Sequence, residues 1–260
     1  MRFIILFFFI VVSTSCKQDN TRPTADQLLN ELNSDTTKTN ILPSTTSNLV
    51  FKGEIPGLYS IDMHLIIEEQ AVRGCYIGEG KTFPIKGALR AKNQLELSVY
   101  NESKEVEELF MGTLSDDKKS YKGKWFSIDA GSEKFDFELN QQPLEISNET
   151  LSNLTGTYEY TVQDLTSYLI VEAQTNQTLK IQAVTAYGSC TGEIEPSIVY
   201  LFNSTQFNFY GDEDCFIHFE MEDNQISIEE NICLYYHGSR CSFDGNYRKV
   251  SEEVNWILES

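Results

Sequence analysis

The feature that most constrains this chain is an alternation of apolar and polar residues with a period of two. In Ser60-Ile61-Asp62-Met63-His64-Leu65-Ile66-Ile67, the residues Ile61, Met63, Leu65 and Ile67 fall on one side. Successive side chains of a strand point to opposite faces, so this is the pattern of a strand with one buried face. Similar short runs recur at 73–77, 83–89, 94–100, 108–114, 120–128 and 134–139. Turn formers separate them: Gly78-Glu79-Gly80, Lys92-Asn93, Asn101-Glu102, Ser115-Asp116-Asp117 and Gly131-Ser132. No stretch of this half carries an amphipathic helix of useful length. Consecutive short strands joined by tight turns predict an antiparallel meander that closes into a barrel or folds as a sandwich.

The second half follows the same recipe, with strands expected at 157–162, 168–174, 179–185, 197–202, 206–210, 216–221, 225–229 and 232–236. Gly57-Leu58-Tyr59 near the start of the first unit is echoed by Gly156-Thr157-Tyr158, and Gly123-Lys124-Trp125 by Gly245-Asn246-Tyr247. A glycine beside a strand aromatic lets the ring lie over bare backbone. The echo predicts two similar units, with chance recurrence of a short pattern as the rival reading. The expected class is all-β, with two antiparallel meander barrel or sandwich domains at 49–142 and 143–249. A tail at 250–260 follows, in which 252–259 is either a short acidic helix or loose.

The amino terminus is of another kind. Arg2 precedes an unbroken apolar run, Phe3 to Val12. A helix across a bilayer core takes about twenty residues, so this run has the proportions of a secretory signal instead. Val12-Ser13-Thr14-Ser15-Cys16 resembles a bacterial lipoprotein signal. The resemblance implies loss of residues 1–15 as a signal peptide, acyl chains such as palmitate on Cys16, and membrane lipid as the first partner. Ordinary cleavage after Ser15 is the alternative. Lys17-Gln18-Asp19 is similar to the short charged signal of surface-exported lipoproteins of Bacteroidetes-type bacteria. That implies an outer-membrane, lipid-anchored protein at the cell surface. Asn-x-Ser/Thr sequons at Asn101, Asn148, Asn153, Asn176 and Asn203 keep a eukaryotic secreted protein as a rival.

Residues 16–48 are mostly Thr, Ser, Asn, Asp and Pro, too polar to fold alone. Within them Thr24-Ala25-Asp26-Gln27, followed by Leu28, Leu29 and Leu32, predicts one short capped helix. The rest reads as a flexible tether with a reach of about 30 Å. Asp35-Thr36-Thr37 resembles the Asp-Thr-x pattern of O-glycosylation in Bacteroidetes-type exported proteins, which implies a glycan on Thr36.

Charge and cysteine divide the chain further. The whole carries a net charge of −19, unevenly spread. Residues 49–142 hold 12 basic and 16 acidic side chains, a net of −4, whereas 143–249 hold 4 and 16, a net of −12. Such a field repels nucleic acid and anionic lipid and attracts cationic proteins, or simply keeps an exported domain soluble. Cys75 stands alone and reads as a small buried hydrophobe. Cys190, Cys215, Cys233 and Cys241 cluster, as two disulfides of an exported domain would. Three pairings are open. Gly238-Ser239 would fold the chain back between Cys233 and Cys241, which favours Cys233–Cys241 with Cys190–Cys215. Without a CxxC pair, a zinc site is disfavoured.

The first unit, with Gly57-Leu58-Tyr59, the LFMGTL run at 109–114 and YKGKWF at 121–126, resembles avidin- and lipocalin-style meander barrels. The second unit, with DEDCFIHFEME at 212–222 and YYHGSRCSFDGNY at 235–247, is similar in style to acidic, disulfide-bridged lysozyme-inhibitor lipoproteins. These resemblances imply fold and location; the ligand set of the one and the binding loop of the other have no counterpart here.

Chemical signatures are sparse. His64 and His218 sit within strand patterns. His237 lies in Tyr235-Tyr236-His237-Gly238-Ser239-Arg240 between two cysteines, where Tyr235, Tyr236, His237 and Arg240 would make a recognition loop or an ordinary hairpin. Glu193 and Glu195 share one face as like charges rather than opposing each other across a cleft, as a glycosidase requires. The acids at 212–214 read as a solvated turn without calcium-loop spacing. There is no nucleophile elbow, phosphate loop, dinucleotide fingerprint or zinc-protease helix. The expectation is a non-enzymatic, lipid-anchored envelope protein without cofactor or metal that binds an unidentified partner. The alternative is an inhibitor of a cationic enzyme such as lysozyme. The intact mass of membrane-purified protein should show residues 1–15 lost and acyl chains added at Cys16; an unmodified amino terminus would refute the anchor.

Overall fold

The computed structural model describes residues 46–257 apart from 102, 104, 129–133 and 176. Cys16, Thr36 and the helix expected at 24–32 lie outside the described residues.

The period-two runs form two closed antiparallel barrels of eight strands each, so the chain is all-β as the alternation predicts. The first barrel comprises β1 (Ser47–Ile55), β2 (Tyr59–Glu68), β3 (Ala71–Gly78), β4 (Lys81–Leu89), β5 (Gln94–Tyr100), β6 (Val106–Leu114), β7 (Ser120–Ser127) and β8 (Lys134–Gln142). Each strand pairs with the next, and β8 returns to β1 with Gly53 opposite Leu139. Inward positions carry the core: Phe51, Ile61, Met63, Leu65, Leu97, Phe110, Tyr121 and Phe137 pack together inside. An eight-stranded barrel is just wide enough for its own side chains to fill it.

A short helix, α1 (Asn148–Leu154), follows, capped by Ser147, whose hydroxyl accepts the Thr150 amide hydrogen at 3.1 Å. Its Leu151 and Leu154 join the core of the second barrel. That barrel comprises β9 (Gly156–Val162), β10 (Leu165–Thr175), β11 (Thr178–Tyr187), β12 (Cys190–Leu201), β13 (Gln206–Tyr210), β14 (Phe216–Glu222), β15 (Gln225–Asn231) and β16 (Gly245–Ser251). Closure comes from β16 against β9, with Arg248 opposite Glu159. Gly245 adopts φ +153°, and a Cβ there would lie 2.6 Å from the Tyr160 ring. A ring over bare backbone, expected beside this glycine, is therefore present.

One expected strand needs correction, and two open alternatives are decided. Residues 232–236 are not a strand: after Asn231 the chain leaves the sheet and follows a loop to β16. Residues 252–257 form no helix. The Gly-x-Tyr echo does not mark equivalent places, because Tyr59 opens the second strand of its barrel while Tyr158 lies in the first strand of the other.

The barrels meet along a seam. Outward-facing Val50 and Cys75 of the first barrel cluster with Phe202 and Phe216 of the second. Cys75 is thus buried as expected, but in the junction rather than in a barrel core. Its sulfur accepts a hydrogen from Asn208 Nδ2 at 3.1 Å, and Asn208 Oδ1 accepts from His218 Nδ1 at 2.8 Å. His64 stacks on Phe202 with ring centroids 5.2 Å apart. Asn48 Nδ2 donates to the Leu201 carbonyl at 3.2 Å, leaving its Oδ1 to accept from His64 Nε2 at 2.5 Å. Lys86 pairs with Asp214 at the rim.

This network makes His64 a neutral ring whose Nδ1 is buried without a partner. Burial pushes its pKa down from 6.5 to about 3. Between those values the unfolded chain takes up a proton that the folded ring refuses, so the contribution of His64 to stability falls as pH drops. Urea melts should show wild type losing more stability than His64→Gln between about pH 6.5 and about pH 4. Parallel acid limbs would show that the junction does not hold the ring neutral.

Candidate functional site

The loop from Ile232 to Asp244 is the largest departure from meander geometry in the second barrel. Backbone pairing lays it antiparallel along the start of β12: Gly192 bridges His237, and the Glu193 amide donates to the Tyr236 carbonyl at 2.8 Å. That course decides the disulfides. Cys190 meets Cys241, and the β14–β15 register, with Phe216 opposite Asn231, brings Cys215 beside Cys233. The expected pairs Cys233–Cys241 and Cys190–Cys215 are therefore incorrect. They assumed a hairpin turning at Gly238-Ser239, whereas Gly238 passes directly over Cys190, where a Cβ would lie 2.7 Å from its Sγ. The bonds close spans of 51 and 18 residues and anchor the loop at both ends.

The four residues expected to form a recognition loop separate into distinct roles. His237 is buried and turned inward: Nδ1 donates to the Gly238 carbonyl and Nε2 meets Glu230 Oε1, each at 2.8 Å. Glu230 Oε2 also accepts the Phe243 amide hydrogen at 2.8 Å. Burial raises the Glu230 pKa against the opposing pull of that amide and of His237. The correction for His237 is thus that it fastens the loop and presents nothing outward. Tyr235 is 67% exposed, as is its neighbour Leu234. Tyr236 packs edge-on against Phe209 at 5.5 Å, and its hydroxyl oxygen accepts the Asp212 amide hydrogen at 2.8 Å. Gly211 makes room for it, since a Cβ there would lie 2.6 Å from the Tyr236 ring. Arg240 is exposed but is not among the described residues that line the adjacent cleft.

That cleft, of about 720 Å³, opens where the loop, β12 and the first barrel approach each other. Tyr235 and Tyr236 form one wall, and Glu193, Glu195 and Asp212 supply carboxylates. Burial, and then the neighbouring Glu195, raise the pKa of Glu193. Arg73 is the only cation among the described lining residues, and it is engaged already. Its Nη2 donates to Glu68 at 2.9 Å, Nη1 donates to the Tyr210 carbonyl at 3.3 Å, and its guanidinium lies over the Tyr210 ring. The cleft therefore offers aromatic surface and surplus negative charge. Glu193 and Glu195 lie on one wall of it, as their spacing predicts. A second cleft of about 840 Å³ lies between β4 and the β14–β15 hairpin, lined by Lys81, His218, Glu220 and Glu229 among others. Among the described residues no group of three or more His, Cys, Asp or Glu could hold a metal ion.

Sequence reasoning did not single out Glu108. Inside one end of the first barrel it accepts hydrogens from Tyr76 Oη at 2.6 Å and Trp125 Nε1 at 2.9 Å. The inward parity of Glu108 with Phe110 in β6 was the available signal.

No family model, curated protein or solved structure matches this chain. The placement of each side chain therefore carries the functional argument.

Replacing His237 by Leu should cost about 3 kcal/mol or more, because the Glu230 carboxylate is left buried without its partner. Arg240→Ala should stay within about 0.5 kcal/mol, as exposed positions usually do. Chemical denaturation measures both; equal, small costs would return His237 to the role of an outward contact.

Proposed function

We propose that this chain is a non-enzymatic binding protein of the cell envelope, lipid-anchored at Cys16, that holds a cationic protein partner against its second barrel. The observation that carries the reading is the acidic cleft walled by a loop fastened with two disulfides, with Leu234 and Tyr235 exposed at its edge. Rigid, exposed aromatic residues dominate binding energy at interfaces because they bury large area at small entropic cost. Carboxylates behind them favour a basic partner and speed its approach. The charge of the second barrel region, a net of −12 over 143–249, extends that preference beyond the cleft.

The lipoprotein-like amino terminus and the polar segment at 16–48 support an envelope location in which the barrels stand away from the lipid. The filled barrel interiors favour recognition by outer surfaces and loops over enclosure of a large ligand.

A second reading is favoured by the same cleft: inhibition of a cationic enzyme such as lysozyme. Tyr235 inserted into the substrate groove of such an enzyme, with Glu193 and Glu195 meeting its basic residues, would block access without any chemistry.

Lysozyme binding and activity, measured at low and raised salt, test both readings. The expected result is binding at low salt that weakens as salt screens the charges. Tyr235→Ala should weaken it by about tenfold, in the range of an interface anchor. Glu193→Gln with Glu195→Gln should reduce the salt dependence. Binding without inhibition retains the first reading and discards the second. If neither lysozyme nor cytochrome c, a second basic protein, binds at low salt, the cationic-partner reading fails.

A further inference from the structure

The first barrel carries a second constellation, independent of the cleft and of the reading built on it. Inward positions near one end of β2, β3, β4, β6, β7 and β8 place Tyr59, Tyr76, Phe83, Trp125 and Phe135 around the carboxylate of Glu108. Phe83 stacks on Tyr76 with centroids 4.9 Å apart. Tyr59 stands edge-on to Trp125 at 6.4 Å, and Phe135 is tilted against Trp125 at 5.7 Å. Gly78 is part of the construction: a Cβ there would lie 2.8 Å from the Tyr76 ring and 2.9 Å from the Tyr59 ring. Only a residue without a side chain lets both tyrosines close on the carboxylate.

Among the described residues Tyr76 and Trp125 donate to Glu108, both to Oε2, and both are neutral. A carboxylate has about four lone-pair positions, so these two donors leave room for it to accept another hydrogen. A carboxylate withdrawn from solvent is ordinarily matched by a cation, and this half-buried one has no cation among those partners. Glu108, Tyr59, Phe83 and Phe135 each keep part of their surface in solvent, so the cluster is reachable from the barrel end. Aromatic rings beside a carboxylate suit a positive charge, which the carboxylate attracts directly and an available ring face attracts through its quadrupole.

We propose that this end of the first barrel binds an organic ammonium group, with Glu108 as counter-ion and Tyr59, Phe83, Trp125 and Phe135 as the surrounding rings. The ammonium donates one hydrogen to the free position on Glu108, and its alkyl part rests on Phe83 and Phe135. No bond is made or broken.

Trp125 is the natural reporter, and Trp256 is the other of two tryptophans. In a full-length Trp256→Phe background, butylammonium chloride and the neutral isostere butanol are titrated at constant ionic strength while Trp125 emission is followed. The expected result is a saturable change with butylammonium and at least about tenfold weaker binding of butanol. Glu108→Gln should weaken butylammonium to the level of butanol. Phe83→Leu keeps apolar volume but removes a π face, so it should weaken butylammonium by about three- to tenfold and leave butanol unchanged. Thermal melts confirm that each variant is folded, and Phe83→Leu decides the matter if Glu108→Gln is not. No saturable change with butylammonium, equal binding of butanol, or undiminished binding by the folded variants overturns the proposal.

Discussion

The packing of one barrel's outer wall on the other is the interaction on which the rest of the structure depends. A closed eight-stranded sheet satisfies its own backbone and fills its own interior, so two such barrels need no contact with each other. Here they have one, because the outward positions of β1–β3 and β13–β14 break the polar-out rule. Val50, Cys75, Phe202 and Phe216 bury apolar surface; Asn48 donates across it to the Leu201 carbonyl and Asn208 to the Cys75 sulfur, while each also holds a histidine, His64 or His218, of its own barrel. The acidic cleft is a consequence. Arg73 comes from the first barrel and Glu193, Glu195 and Tyr236 from the second, so the cleft has its shape only while the seam is closed.

Disulfides and a buried hydrogen bond do the equivalent work within the second barrel. The loop at 232–244 has a single bridge to β12 in place of a continuous ladder and is fastened further at Cys233, His237 and Cys241. That fastening makes an exposed Tyr235 useful, because a side chain on a rigid loop loses little freedom when it is bound. The two candidate sites differ in kind. The cleft offers a broad, negatively charged face suited to a protein, whereas the end of the first barrel surrounds one carboxylate with rings suited to a small cation.

Much of the fold was legible because period-two alternation maps directly onto strands with one buried face. Runs such as 94–100 and 206–210 coincide with their strands residue for residue. What was lost has physical causes. Ile232–Tyr236 is as apolar and aromatic as a strand, but the disulfide at Cys233 and the inward turn of His237 take it out of the sheet. The cysteine pairing depended on where that loop runs, which only tertiary contacts decide. Cys75 and His64 looked like ordinary strand residues because a second barrel covering their outer face leaves no mark on local pattern. Glu108 was overlooked because its donors come from two other strands, Tyr76 from β3 and Trp125 from the neighbouring β7, and local pattern does not show which inward side chains meet. At the described carboxyl end, Glu252 and Glu253 supply charge but no helix.

The two barrels act as one body through the seam, and Cys75 reports on it directly. It is the only free cysteine among the described residues, and it points out of its own barrel into the junction. Labelling the folded protein with a thiol reagent, and locating the adduct by mass spectrometry, measures how often the seam opens. With the seam closed, Cys75 should react no faster than the chain unfolds globally. Rapid modification of Cys75 while both barrels remain folded would contradict it, because the barrels would then be separate bodies on a string.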